Sequence, residues 1–168
     1  MAGPTLWGGG GGEKDLVLAH AGRALLFPDL AAMWAPVRAA EPCNMACLDG
    51  YQRLAAALDP PPDVNPLHHP LTDILRWMSA PRWRWSPTRC ATVLNGINLL
   101  WDLASTLERD DLRARLRPSA PLGSVSNVLT FADREALRAG LLTGLPRREA
   151  TTDLEHLLTE LLPGDGPR

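Results

Sequence analysis

The stretch Ser86-Pro87-Thr88-Arg89-Cys90-Ala91-Thr92-Val93-Leu94-Asn95-Gly96-Ile97-Asn98-Leu99-Leu100-Trp101-Asp102-Leu103-Ala104-Ser105-Thr106-Leu107 decides the fold class. Serine at the start can accept hydrogen bonds from free helical amides, and proline suits the first helical position because the N–H it lacks has no partner there. Behind this start, Cys90, Leu94, Ile97, Trp101 and Ala104 recur at three and four residues, so they share one helix face, which Val93, Leu100 and Leu107 widen. The pattern predicts a central apolar helix over roughly residues 87–108.

The same period governs the flanking segments. Residues 13–27 lack proline and begin with Glu13 and Asp15, acids that complement the positive end of a helix dipole, so a helix is predicted there. Pro28 closes it. Asp29 then caps a short helix that runs through Trp34 until Pro36 interrupts it. Cys47, Leu48, Tyr51, Leu54, Ala55 and Leu58 share a face of a helix predicted over 43–58, and a short helix follows at 72–79.

Downstream, Asp110, Asp111, Arg113 and Arg115 set opposite charges three and four residues apart, as on a solvated helix face, and 118–123 reads as a loop. Thr130 with Asp133, and Thr152 with Glu155, place a capping hydroxyl three residues before an acid. The first pair predicts a helix to Leu142 stopped by Gly144, the second a closing helix carrying Leu154, Leu157, Leu158, Leu161 and Leu162. Residues 124–129 alternate enough for a brief strand, although no partner strand is visible.

These periods predict an all-α protein: one multi-helix globular domain over 13–162, with about six to eight helices packed orthogonally around the central one. Residues 1–12, with five consecutive glycines, read as a flexible tail, and 163–168 as a disordered C-terminal tail. The run Asp59-Pro-Pro-Pro-Asp-Val-Asn-Pro-Leu-His-His-Pro70 has too many prolines for a helix and reads as an extended connector that can also bind.

Composition narrows the function classes. A chain of 168 residues, 45% of them hydrophobic, can bury a sizeable core. It has no apolar run of about 18 residues and no export signal, so no membrane association and a cytoplasmic location are expected. Three cysteines, an odd count, fit reduced thiols. Lys14 is the sole lysine among 17 Lys and Arg residues, a bias that reads as genome composition, and the net charge of -2 argues against a generally basic nucleic-acid binder.

Catalytic signatures are absent. The glycines at 8–12 lead into Glu13, Lys14 and Asp15, not the Gly-Lys-Ser/Thr ending of a phosphate-binding loop. His20, His68, His69 and His156 show no zinc-protease spacing, and no Gly-x-Ser-x-Gly elbow or acid-base carboxylate pair occurs. The reading is therefore non-catalytic, with no cofactor. Cys43 and Cys47, four apart on a predicted helix, are weak metal candidates with His68, His69 and Cys90. The acids Glu41 and Asp49 beside the first two thiols disfavour redox reactivity.

One segment stands out. Residues 74–101 carry Arg76, Arg82, Arg84 and Arg89 and no acid, within a chain that is acidic overall. Arg82, Trp83, Arg84 and Trp85 alternate, so an extended loop points both indoles one way and both guanidinium groups the other. Either the indoles plug the core while the arginines are merely solvated, or the segment is a contact surface for an acidic partner; a mixture is expected, with one indole buried and the arginines exposed. The partner-binding candidates are Arg76, Arg82, Trp83, Arg84, Trp85 and Arg89.

Asn95-Gly96-Ile97-Asn98 resembles the helix-start motif of the viral and cellular apoptosis-regulator bundles, but the tryptophan and arginine that follow it there are missing, and no family is assigned. The expected function is a helical interaction or regulatory protein that binds an acidic protein partner through the Arg/Trp surface and the proline-rich connector. The alternatives are a small helical enzyme or metal-binding protein centred on Cys43, Cys47 and a histidine, and a nucleic-acid binder using residues 76–89.

Overall fold

The computed structural model describes residues 7–8, 16–20, 23–27, 29–39, 43–56, 71–81, 83, 85–131 and 141–162. Among them the chain forms seven α-helices: α1 (Leu30–Arg38), α2 (Asp49–Ala56), α3 (Leu71–Met78), α4 (Pro87–Thr106), α5 (Asp110–Ala114), α6 (Pro121–Phe131) and α7 (Arg147–Leu161). Short 3-10 turns lie at Asn44–Cys47 and Leu141–Gly144. The protein is all-α. No helix among the described residues is long and apolar enough to cross a membrane. Both tails outside Trp7–Gly8, the proline-rich connector, Arg82, Arg84, His68, His69 and residues 132–140 lie outside the described residues.

Helix α4 starts as its sequence dictates: the Ser86 side chain accepts a hydrogen bond from the Arg89 N–H at 3.2 Å, and Pro87 opens the helix. Its buried face is Cys90, Val93, Ile97, Leu100 and Ala104, joined by Gly96, Leu99 and Leu103. That face is rotated from the predicted stripe. Leu94 is only half-buried, and Trp101 is 37% exposed with the Arg113 guanidinium 5.8 Å from its ring centre. Apolar residues occur on most sides of α4, so periodicity permits several faces and the packing neighbours α3, α6 and α7 select one. Ile74 and Leu71 of α3 pack over Gly96, where an added Cβ would require the Ile74 side chain to shift. The Asn95-to-Asn98 motif thus sits in mid-helix, not at a helix start. Glu108, at φ 56, ends α4 in the left-handed turn usually given to glycine, with the Arg109 N–H bonded to the Ala104 carbonyl at 2.9 Å.

The helix predicted over 13–27 is not formed by the described residues there. Trp7–Gly8 (β1) pairs antiparallel with Leu16–Val17 (β2), and Ala19–His20 (β3) with Arg23–Ala24 (β4). Val17 packs into the main core and its neighbour Leu18 into a second cluster with Met33, Trp34, Val37, Met45, Leu48 and Tyr51. Consecutive side chains buried on opposite sides require extended backbone. The Asn44 amide secures it, donating to the Val17 carbonyl at 2.8 Å and accepting from the Ala19 N–H at 2.7 Å, while the Val17 N–H reaches Thr106 Oγ1 at 3.2 Å. These bonds satisfy backbone groups that burial would otherwise leave unpaired.

Four other expectations are corrected. The helix of 43–58 is split, because Leu48 is extended between the 3-10 turn and α2. Helix α1, capped by Asp29 onto the Ala32 N–H at 2.8 Å, continues past Pro36, where the ring removes one hydrogen bond but the helix resumes to Arg38. Residues 124–129 belong to α6, which begins inside the predicted loop; Gly123 allows this because a Cβ there would meet the Arg117 carbonyl oxygen at 1.8 Å. Thr130 is interior to α6 and bonds to the Ser126 carbonyl, and Thr152 is interior to α7, which starts five residues earlier at Arg147. Thr130 thus uses its hydroxyl on the carbonyl one turn back, Thr152 is no helix start, and Asp133 with most of the helix expected to Leu142 lies outside the described residues.

Candidate interaction surface

The surface grows from the C-terminal end of α3, whose last carbonyls lack partners within the helix. Trp83 supplies one: its Nε1–H donates to the Met78 carbonyl at 2.7 Å, and the indole is buried against the main core. Trp85 stacks on it with ring centres 4.8 Å apart and an interplanar angle of 24°, and remains half-buried. The two-residue alternation therefore does place both indoles on one side, and it divides their roles between plug and surface.

Arg89, in the first turn of α4, holds its guanidinium 5.2 Å from the ring centre of the half-buried Trp77. Arg76 is exposed and pairs with Asp73 one turn back at 2.9 Å. An exposed pair of this kind is worth only about 0–1 kcal/mol, so Arg76 can exchange Asp73 for another carboxylate at little cost. Of the predicted contact residues, the fold brings Trp83 and Trp85 together, and sets Arg89 against Trp77 and Arg76 against Asp73. Trp77 was missed; its place in the acid-free segment beside Arg76 was the available signal.

The end of α3, the turn after it and the first turns of α7 border an open groove. Its lining is mixed: Ala80, Pro81, Leu145 and Pro146 are apolar, Ser79, Thr151 and Thr152 are polar, and Arg147, Arg148, Glu149 and Glu155 balance in charge. Its two sides are tied together, since Thr151 Oγ1 lies 3.0 Å from the Met78 carbonyl and the Arg147 guanidinium donates to the Pro81 carbonyl. The sequence held no signal for this groove, because the bonds across it join residues 66 and 73 positions apart.

The thiols are dispersed. Cys43 precedes the 3-10 turn and packs on the second cluster, Cys47 is exposed, and Cys90 is buried in the main core, where desolvation raises its pKa. The predicted helical face joining Cys43 and Cys47 does not form. Among the described residues no group of three His, Cys, Asp or Glu side chains could hold a metal ion. Asp153 is buried with Oδ1 2.6 Å from Arg115, and its Oδ2 has no hydrogen-bond partner among the described residues. Asp111 is held down to about 2 chiefly by its hydrogen bond with Arg109, which also meets Glu160 of α7 at 3.4 Å.

No protein-family model, curated protein or solved structure matches the chain. Its class is all-α on the structure alone, and its function is argued from the surface.

Proposed function

We propose that this chain is a non-catalytic interaction protein that binds an acidic protein partner on the exposed side of α3 and the first turn of α4. The observation that supports it is the Arg89–Trp77 contact, an exposed guanidinium over a half-buried indole, with exposed Arg76 next to Trp77 in sequence. Aromatic and arginine side chains grouped in this way are the usual anchors of protein interfaces. The free thiols Cys43, Cys47 and Cys90 agree with an encounter in the reducing cytoplasm.

A glutamate-rich peptide titrated against the protein should alter tryptophan fluorescence, with an affinity that weakens as salt rises. The Arg76→Glu/Arg89→Glu double variant should keep its stability within about 1 kcal/mol, the two sites being exposed, and lose at least about tenfold in affinity. Unchanged peptide affinity in that variant, or tighter binding of single-stranded oligothymidine than of the peptide, overturns the reading.

A further inference from the structure

The two buried clusters of this fold meet at one short ribbon of chain. Helices α3, α4, α6 and α7 carry the main core. From α1 through α2, every buried side chain among the described residues belongs instead to the second cluster: Met33, Trp34, Val37, Met45, Leu48 and Tyr51. Residues 17–18 and 24–25 form the joint, with the Leu25 N–H bonded to the Leu18 carbonyl at 2.9 Å. Neighbouring side chains of an extended strand point to opposite faces, so Val17 and Ala24 enter the main core, while Leu18 is buried in the second cluster and Leu25 packs on it.

The ribbon is held differently on its two sides. Toward the main core, Val17 is fully buried and its N–H reaches Thr106 Oγ1 of α4 at 3.2 Å. Toward the second cluster, the Asn44 amide of the 3-10 turn holds the Val17 carbonyl at 2.8 Å and the Ala19 N–H at 2.7 Å. The second cluster is the smaller of the two among the described residues, and the resistance of a unit to opening grows with the apolar surface it would expose.

We infer that α1, the 3-10 turn at Asn44–Cys47 and α2 are a separately opening unit, hinged on the ribbon and latched to it by the Asn44 amide. On opening, the unit leaves Leu18 and Leu25 and breaks both Asn44 bonds, while Val17 and Ala24 stay seated in the main core. Because α3 and α4 belong to that core, the face bearing Arg76 and Arg89 keeps its shape when the unit opens.

Native-state hydrogen exchange of the full chain, read amide by amide by NMR, tests this. The helical amides of α1 and α2, together with the Ala19 N–H, should share one opening equilibrium and exchange at least about tenfold faster than those of α4 and α7, after correction for intrinsic rates. Leu157→Ala, in the main core, should speed exchange in α4 and α7 at least about tenfold and leave α1 and α2 within about twofold, because that core is folded whether the unit is closed or open. Asn44→Ala, which removes both latch bonds, should speed exchange in α1 and α2 at least about tenfold.

An equal acceleration of α1, α2 and α7 in Leu157→Ala means one cooperative fold and overturns the inference. Should that variant fail to fold, the milder Leu157→Val makes the same comparison with a smaller shift. Unchanged exchange of α1 and α2 in Asn44→Ala overturns the latch, and the hinged unit with it.

Discussion

Helix α7 and the segment from residue 76 to 89 both carry sequence patterns that serve equally for packing or for recognition, and the fold treats them in opposite ways. In α7 the stripe closes on the protein itself: Leu154, Leu157 and Leu161 are buried in the main core, and Leu158 and Leu162 pack at its edge. Among the described residues of 76–89, Met78 and Trp83 are buried in the core, whereas Trp77 and Trp85 stay half-buried and Arg76 and Arg89 are exposed. A leucine stripe has one way to leave water, against a like face. An indole has a ring face and an N–H to place separately, so neighbouring tryptophans can part company.

The comparison breaks most sharply at the tryptophans. Trp83→Ala should cost about 3–5 kcal/mol, as truncation of a buried aromatic does, and leaves the Met78 carbonyl with Thr151 as its remaining side-chain donor. Trp85→Ala should cost clearly less, since half its surface stays in water. Chemical denaturation of both variants checks this, and equal losses would make Trp85 a core residue and remove it from the interaction surface.

Within α7 the expected loss is next in size. Leu157→Ala, at a fully buried site, should destabilise by about 2–5 kcal/mol, and Leu158→Ala by less, in the same denaturation measurement. A reversed order would mean that the helix is seated with a different face inward.

A smaller effect is expected where α7 meets the turn after α5. Arg115→Ala should cost about 1–3 kcal/mol, because it strands the buried Asp153 carboxylate. Arg115→Ala with Asp153→Asn should recover part of that loss; a double variant less stable than the single one would show that the carboxylate is needed for something other than its partner.

The smallest effect is in acid. Asp111 has a folded pKa of about 2, lowered from 3.8, so its contribution is present above the unfolded value and disappears as pH falls through about 2. Because the group is exposed, the Asp111→Asn variant and the parent should converge in stability over that window by only a small margin, measured by acid titration of the melting temperature. Divergence on acidification would reverse the sign of the Arg109–Asp111 interaction.

Several of these features were legible in residues alone. The all-α class, the Ser86-Pro87 start of α4, the Asp29 cap and the leucine stripe of α7 depend on spacing and on side-chain chemistry within one turn, and local rules act at that range. The ion pair of Asp110 with Arg113 was legible for the same reason, but Asp111 and Arg115 chose Arg109 and Asp153 instead of each other.

What only the tertiary structure decided lies where two distant segments compete for one local choice. Residues 16–20 are extended because Val17 and Leu18 are buried in two different cores and the Asn44 side chain pairs with the backbone beside them. Which face of α4 is buried was settled by the elements packed on it, and the end of α3 by an indole five residues on together with a threonine of α7. By itself the sequence determined that helices form and roughly where, since a 3.6-residue period needs no partner to be read. The groove and the division between buried Trp83 and half-exposed Trp85 required the fold, because burial belongs to the space between elements and a one-dimensional pattern does not contain that space.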